Sequence, residues 1–208
     1  MITQNIHINT KKRKVVTQIT LEKDMIIPDK LPDIEKCITE KGMIAVENIR
    51  TMNKKADISG HLSVDILYEP VCCVKTDIPF SESVNMEDIE DGDNLRINYT
   101  MENLKVSVIN SRKISIKAII TFTLEPERVT DVDAALDTED GENIECISKN
   151  IRLLQLVTRK KDVFRIKDEV EINKSKPNIG EVIWKNVELR NSQSRLLENK
   201  VSLSGEIN

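Results

Sequence analysis

The sequence has few aromatic side chains, two histidines and no long hydrophobic run. Aromatics make up 3% of the 208 residues, so a core must be aliphatic, built from Ile, Val, Leu and Met. The chain has no glycine-rich phosphate loop, nucleophile elbow or His-Glu-x-x-His pattern. No apolar run approaches the ~20 residues that a membrane-spanning helix needs. These absences argue against an enzyme and a membrane-spanning protein. They leave no candidate catalytic, cofactor-binding or metal-binding residue.

Charge and cysteine usage narrow the class of protein further. The 31 basic and 35 acidic residues give a net charge of −4, which argues against a nucleic-acid-binding surface. The first residues have no signal-peptide layout, so we expect a cytosolic chain. The cysteines are irregularly spaced, which favours reduced, buried thiols over a disulfide framework. Adjacent strand residues point to opposite faces, so Cys72 and Cys73 are not expected to share one metal. The other two cysteines are Cys37 and Cys146.

A repeat at a fixed offset of 145 organises the chain. Residues 146–208 laid over residues 1–63 without gaps give 11 identities in 63 pairs, where composition predicts roughly 4 by chance. The identities include Ile27/Ile172, Pro32/Pro177, Arg50/Arg195, Ser59/Ser204 and Gly60/Gly205. A fixed-period repeat indicates copies of one structural unit. We therefore expect a complete first unit over residues 1–145 and the N-terminal half of a second unit over residues 146–208.

Alternation of apolar and polar residues predicts strands along most of the chain. It is clearest over Ala56–Tyr68 and Ile114–Leu124, and it also covers Ile2–Thr10 and Val15–Ile27. In the second copy, Phe164, Ile166, Val170 and Ile172 reproduce the last of these segments. Leu95, Ile97 and Tyr99 occupy odd positions, whereas Leu104, Val106 and Val108 occupy even ones. The change of phase predicts a bulge near residues 101–103.

Two other patterns allow short helical structure. Residues 142–155 have the spacing of apolar residues that is typical of a helix. Their counterpart in copy one, Ile2–Thr10, alternates between apolar and polar residues, so we predict a strand there. Short helical turns are predicted at residues 32–39 and 177–184, because proline suits the first helical position and Ile34 and Ile38 form an i, i+4 pair. The predicted fold is an all-β, antiparallel, sandwich-like unit that is repeated, with the second copy incomplete.

Each residue that could bind a ligand or take part in a reaction also has a structural interpretation. His61 is expected on the polar, solvent-facing side of its strand, and His7 has Arg152 as its counterpart, so neither histidine is a shared functional requirement. The acidic segment 131–142 offers oxygen ligands for calcium but lacks EF-hand spacing, and a solvated linker is favoured. The basic runs 11–14 and 159–161 are favoured as solvated strand edges over contacts with an acidic partner.

Three segments resemble the SPOCS domain family, found in spore coat assembly proteins such as SipL and its relatives with a LysM module. Leu31-Pro-Asp-Ile-Glu-Lys-Cys-Ile38 is similar to the family's "Pro-Asp-Ile-x-x-Ile" segment, and residues 58–68 are similar to its "Gly-x-Leu-x-x-x-Ile-Leu-Tyr" strand. Residues 164–172 resemble the strand that opens a new unit. Asn178 and Gly180 depart from the pattern, there is no LysM module, and copy two stops before the counterpart of Tyr68. We expect the chain to be an excised N-terminal part of a longer protein.

The resemblance implies a structural and morphogenetic scaffold of the spore coat, at the forespore surface in the mother-cell cytosol. It implies no catalytic residues, no cofactor and no metal. The implied partners are other spore coat proteins, with a coat basement-layer ATPase as one candidate. The alternatives are a self-assembling spore surface layer or appendage subunit, crosslinked through Cys72, Cys73 and Cys146, and a small-ligand or carbohydrate-binding β-domain that would use Trp184, Tyr68 or Tyr99.

A half unit cannot bury its apolar faces alone. Its apolar residues must pack on copy one or pair with a neighbouring molecule through sheet edges, which would give a homo-oligomer. These residues are Phe164, Ile166, Val170, Ile172, Leu189, Val201 and Leu203. Trp184 replaces the polar Thr39 of copy one. It is therefore either a buried structural residue or part of a contact that only copy two makes.

Overall fold

The structure is a computed structural model that describes residues 2–137, 147, 149, 152, 163–169 and 171–208. These residues form antiparallel strands and no helix, which confirms the prediction of an all-β fold. In chain order the strands are β1 Ile2–Lys11, β2 Val15–Ile26, β3 Lys36–Met52, β4 Lys55–Glu69, β5 Cys72–Asn85, β6 Asn94–Asn110, β7 Lys113–Asp137, β8 Leu189–Leu197 and β9 Lys200–Ile207.

The first seven strands make two sheets that face each other. In one sheet the long β7 pairs with β6 along one edge and with β2 and then β1 along the other. The second sheet has the order β3-β4-β5. At the sides of the two layers β3 contacts β6 and β2 contacts β5. The arrangement is sandwich-like, as the alternating pattern predicts.

The core lies between β4 and β7. On the inward face of β4, Ala56, Ile58, Leu62, Val64, Ile66 and Tyr68 are fully buried, and Ile114, Ile116, Ala118, Ile120, Phe122 and Leu124 are fully buried on β7. These are the even-numbered positions of both predicted strands. Phe80 on β5 reaches Phe122 with ring centroids 5.6 Å apart, so aromatic packing joins the two sheets. Each buried aliphatic side chain stabilises this interface by roughly 1.5–3 kcal/mol.

The predicted bulge in β6 is present. The pairing of β6 with β7 shifts register between Met101 and Asn103, so one residue of β6 has no direct partner there. The extra residue returns Leu104 and Val106 to the inward face that Leu95 and Ile97 occupy earlier in the strand. A single unbroken strand would turn half of these side chains away from the core.

The predicted helical turns are wrong. Residues 32–35 are irregular, β3 begins at Lys36, and residues 177–188 contain no helix. Ile34 is buried while Ile38 is 45% exposed, so the two do not share a helical face. The amide of Ile34 donates instead to the carbonyl of Ser111 and that of Glu35 to the carbonyl of Glu69. These long-range bonds take the place of local helical ones.

The hairpin β8–β9 repeats the register of the hairpin β3–β4. Leu189 pairs with Ile207 as Ile44 pairs with Leu62, and Leu197 pairs with Lys200 as Met52 pairs with Lys55. Every pair recorded between β8 and β9 has a counterpart between β3 and β4 at the offset of 145. Both hairpins also shift register in overlapping segments, between Val46 and Asn48 in β3 and between Arg190 and Gln193 in β8. The sequence repeat thus has a counterpart in backbone pairing.

Two strands predicted for copy two, ahead of its hairpin, are not seen in the described residues. Residues 163–169 and 171 form no strand, although their counterparts, residues 18–24 and 26, lie in β2. β2 is hydrogen-bonded along its length to β7, and no described strand of copy two offers an equivalent partner. Extended segments need such a partner to become strands. The strand predicted over residues 142–155 lies outside the described residues, apart from residues 147, 149 and 152.

Candidate interaction surfaces

Copy two presents an exposed apolar surface. Leu203 on β9 is 68% exposed, whereas its counterpart Ile58 on β4 is fully buried. Leu189, Val201 and Ile207 are exposed in the same way. Phe164, Ile166 and Ile172, which precede the hairpin, are exposed as well. In copy one the equivalent face is covered by the opposing sheet, so copy two presents a core face without a cover among the described residues.

These side chains border one groove. Phe164, Ile166, Leu189, Leu203 and Ile207 are among the residues that line a cavity of about 840 Å³. Intramolecular docking onto copy one, one of the two expected outcomes, is not seen for the described side chains of this group. We call this surface, formed by Phe164, Ile166, Leu189, Val201, Leu203 and Ile207, the apolar face of copy two.

Residues 182–187 lie along the outer face of the sheet β3-β4-β5. Lys41 on β3 hydrogen-bonds to the amide oxygen of Asn186. Trp184 is half-buried and shares a pocket of about 240 Å³ with Asp65, Cys73 and Lys75 of copy one. Trp184 is therefore not a buried core residue. Its position agrees with the other interpretation, a contact that only copy two makes.

An ion cluster ties the start of copy one to its acidic loop. The Asp93 carboxylate is fully buried, forms an ion pair with Lys12 Nζ at 2.7 Å and accepts a hydrogen bond from Arg128 Nε at 2.6 Å. Burial raises the pKa of Asp93, but hydrogen bonds from Lys12, from the Glu90 amide and from Arg128 outweigh it, so the pKa is lowered overall. The pKa of Lys12 is raised, chiefly by its hydrogen bond to Asp93. Lys12 of the basic run 11–14 thus binds an acidic loop of its own chain.

The two histidines lie on the surface, in cross-strand polar pairs. His7 on β1 contacts the carboxylate of Asp131 on β7, and both side chains are more than half exposed. His61 on β4 lies 2.9 Å from Glu47, the residue of β3 at the register shift. His61 is on the outer face of its sheet, as the alternation predicts. β4 is the middle strand of that sheet, so His61 is not at an edge.

The described cysteines form no disulfide bonds, and Cys72 and Cys73 lie on opposite faces of their sheet. Cys72 packs on the core side beside Tyr68, and Cys73 pairs with Leu67 in the opposite orientation. The two thiols therefore point to different faces. Burial, followed by the nearby Glu40, raises the pKa of Cys37 to about 11. Burial also raises the pKa of Cys73, with Asp65 as the next cause. Cys146 lies outside the described residues.

The acidic segment 131–142 is not a loop throughout. Asp131 and Asp133 lie on β7 and pair with β1, and Asp133 accepts a hydrogen bond from Asn5 at 2.9 Å. The linker interpretation is therefore wrong for residues 131–137, and residues 138–142 lie outside the described residues. Within the part of the chain that the structure describes, no group of three or more potential ligands could hold a metal ion.

Of the aromatic residues considered as sugar contacts, Tyr68 has no surface for a sugar ring. Tyr68 is fully buried, and its hydroxyl donates to the carbonyl of Pro32 at 3.1 Å. Tyr99 packs edge-on against Phe122 at 6.3 Å. A carbohydrate-binding domain needs an exposed aromatic face, so Tyr68 is removed from the candidates.

Arg112 has a structural role that we did not predict from the sequence. Its guanidinium donates to the carbonyls of Ile27 and Leu31 at 2.9 Å and to the carboxylates of Asp29 and Asp33 at 3.1 and 3.0 Å. Asp33 is the Asp of the "Pro-Asp-Ile" segment and Asp29 precedes that segment; these two carboxylates were the signal that the sequence offered. Residues 27–35 connect β2 of one sheet to β3 of the other, so these hydrogen bonds and ion pairs from Arg112 fix the connection between the two sheets.

The fold and these surfaces define a class: an all-β protein of antiparallel sheets with contact surfaces and, among the described residues, no assembled metal site. Residues 33–109, from the connection before β3 into β6, match the family model described as "SipL, SPOCS domain". This match confirms the resemblance to the SPOCS domain family seen in the motifs. The chain is accordingly related to sporulation and the spore coat, through a family of structural sporulation domains that is not a known enzyme family.

The other comparisons add no relative. No curated protein and no solved structure matches the chain. The described residues contain no helix with the length and apolar character to cross a membrane.

Proposed function

We propose that the chain is a structural, morphogenetic scaffold of the spore coat that acts through protein–protein contacts. The apolar face of copy two carries the proposal. Val201, Leu203 and Ile207 are exposed, whereas their counterparts in copy one are fully buried. An uncovered core face is unfavourable in water, and a binding partner would remove that cost. The SPOCS segment supports the spore coat as the place where the partner is found.

We also propose the division of the chain that the sequence predicts. Residues 1–145 would form one unit, and residues 146–208 would begin a second. The shared register of β3–β4 and β8–β9 supports this division. Other coat proteins, including a coat basement-layer ATPase, are the proposed partners, and the mother-cell side of the forespore is the proposed location.

The test is localisation of the tagged full chain in sporulating cells. Leu203→Ser removes apolar surface from the exposed face of β9, so we expect loss of the signal at the forespore with no loss of folding. Ser202→Ala changes the neighbouring residue on the opposite face of the same strand and serves as the matched control. Equal forespore signal for both variants would reject the apolar face of copy two as the contact surface.

A further inference from the structure

A cleft of about 340 Å³ lies where β2 begins and β5 ends. Two segments of copy one line it: the joint between β1 and β2, and the loop that follows β5. The volume is near the lower end of the range for ligand sites, so it suits a short stretch of peptide better than a large molecule. The strands that border it, β2, β5 and β7, all belong to copy one, so the cleft is a feature of that unit.

The two segments bring charges of opposite sign to the cleft. Arg13 and Lys14 come from the joint, and Glu87 and Asp88 come from the loop. All four residues are exposed. Within the part of the chain that the structure describes, none of these four side chains forms a hydrogen bond or an ion pair. Both signs of charge are therefore free to bind a ligand in the cleft.

The same two segments are joined by the ion cluster beside the cleft. Lys12 Nζ lies 2.7 Å from a carboxylate oxygen of Asp93 and 3.4 Å from one of Glu90. Arg128 forms ion pairs with the same two carboxylates. The amide of Lys12 also donates to the carbonyl of Pro126 at 2.8 Å. These contacts hold both segments in place, and a site that is ordered before binding loses less entropy when it binds.

The lining of the cleft also has a fixed apolar part. Met86 and Ile89 are 1% and 5% exposed and belong to the core, and Val15 packs against that core. An apolar side chain that covers these residues is removed from water, which is favourable. Exposed ion pairs add at most about 1 kcal/mol each. A ligand that combines an apolar side chain with both charges therefore gains more than one that has charges alone.

We propose that this cleft binds a short segment of another protein in which an apolar residue lies between an acidic and a basic one. The acidic residue pairs with Arg13 or Lys14. The basic residue pairs with Glu87 or Asp88, and the apolar side chain packs on the core residues of the lining. A segment with charges of a single sign would be attracted by one part of the lining and repelled by the other.

A second copy of this chain fits the cleft less well than a protruding segment does. Two such clefts that met face to face would leave their volumes unfilled, and protein interfaces are closely packed. The cleft is separate from the apolar face of copy two. The inference rests on the proposed function only in taking the occupant to be a protein.

NMR titration of the isotope-labelled full chain with the blocked peptide acetyl-Glu-Leu-Lys-amide tests the site. We expect saturable shifts of the amides of Met86, Ile89 and residues 13–16. Acetyl-Gln-Leu-Gln-amide has the same length without the charges, and we expect it to bind about fivefold more weakly or worse. Working at about 0.15 M salt screens charges that lie outside the cleft.

Charge reversals in the lining should weaken the charged peptide. Lys14→Glu and Asp88→Lys each replace an attraction with a repulsion, and we expect each to weaken binding about fivefold or more. Asp91→Lys lies in the same loop but outside the lining, and Lys105→Glu lies on β6. Both of these residues are exposed, and both variants should leave the affinity unchanged.

A double reversal changes the preference of the cleft instead of only removing binding. Glu87→Lys with Asp88→Lys makes both segments basic. This variant should bind acetyl-Glu-Leu-Glu-amide more tightly than acetyl-Glu-Leu-Lys-amide, whereas the unmodified chain should show the opposite order. A variant that had merely lost its fold would bind neither peptide in the cleft.

Four outcomes would overturn the inference: no saturable shift at the cleft, equal affinity for the charged and the neutral peptide, an unchanged preference in the double variant, and tighter binding of free leucine. Free leucine carries both charges on its own carboxylate and ammonium groups, so its tighter binding would identify a site for a small zwitterion. The localisation of Leu203→Ser is a separate result on copy two. Failure of the cleft and failure of the scaffold function can therefore be told apart.

Discussion

Gly60 on β4 lies directly against the carbonyl oxygen of Ala45 on β3: a Cβ built on Gly60 would be 2.0 Å from that oxygen. The approach occurs beside the shift of register in β3, and Gly205 occupies the equivalent place beside the shift in β8. At Gly205 the nearest atoms would be Leu189 Cδ1 at 3.2 Å and the Arg190 carbonyl oxygen at 3.3 Å. The glycine is thus required by a close backbone approach in copy one and only favoured in copy two.

Substitution of the two glycines should therefore have unequal effects. Gly60→Ala forces β3 and β4 apart in the middle of the sheet, and we expect it to lower the free energy of unfolding by about 3 kcal/mol. Gly205→Ala should cost well under half of that, because small shifts of an exposed hairpin relieve the contact. Urea denaturation followed by circular dichroism measures both, and equal losses would contradict the close approach at Ala45.

Arg112 should stabilise the connection between the sheets. Arg112→Ala removes hydrogen bonds to the carbonyls of Ile27 and Leu31, and we expect a loss of about 2 kcal/mol in unfolding free energy. Arg112→Lys should recover only part of it, because an ammonium lacks the planar fork that reaches several acceptors. Arg96→Ala, an exposed arginine of β6, is the control. A loss no greater than that of Arg96→Ala would rule out the role assigned to Arg112.

The buried Asp93 should make the free energy of unfolding depend on pH. Its pKa is lower in the folded chain than in the unfolded one, so its contribution is complete above its usual pKa of about 3.9 and is lost as the pH falls through the folded value. Asp93→Asn should therefore destabilise the chain at pH 7, by an amount that shrinks toward pH 3. Urea denaturation at several pH values gives this difference. Asp91→Asn, next in the loop but exposed, should show no such trend. A pH-independent gap for Asp93→Asn would refute the assignment.

The half-buried thiols of Cys37 and Cys73 should react slowly. A pKa of about 11 leaves Cys37 with little thiolate at pH 8, so alkylation by iodoacetamide should be roughly tenfold slower or more in the folded chain than in urea. Cys73, whose pKa is also raised, should be slowed as well. Mass spectrometry of timed samples measures the rates at each site. Rapid reaction of Cys73 in the folded chain would favour the alternative of a crosslinked surface layer.

Much of copy one could be predicted from the alternation of apolar and polar residues, because every inward position of a strand faces the same apolar core. The buried even positions of β4 and the bulge after Met101 follow from that rule. The structure of residues 32–39 could not be predicted correctly, because the amide of Ile34 bonds to the distant Ser111 and residues 36–39 belong to β3, which pairs with β4. The cluster of Lys12, Asp93 and Arg128 also joins residues that are far apart in the chain, and such contacts leave no local pattern.

The exposed face of copy two was partly predictable. The repeat indicated that Leu203 corresponds to a core position, and the structure places it in a strand with the register of β4. What the pattern could not decide was whether this face packs on copy one. The outcome depends on how residues 182–187 run along the outer sheet, through Lys41 and Asn186, and those contacts depend on the folded surface of copy one.

The central claim is that the apolar face of copy two makes the contacts of this chain in the developing spore coat. Site-specific photo-crosslinking in sporulating cells tests it directly, with a photoreactive residue placed at Leu203 or, on the opposite face of β9, at Ser202. We expect covalent adducts with a coat protein from position 203 and few or none from position 202. Adducts of equal yield from both positions, or none from position 203, would contradict the account.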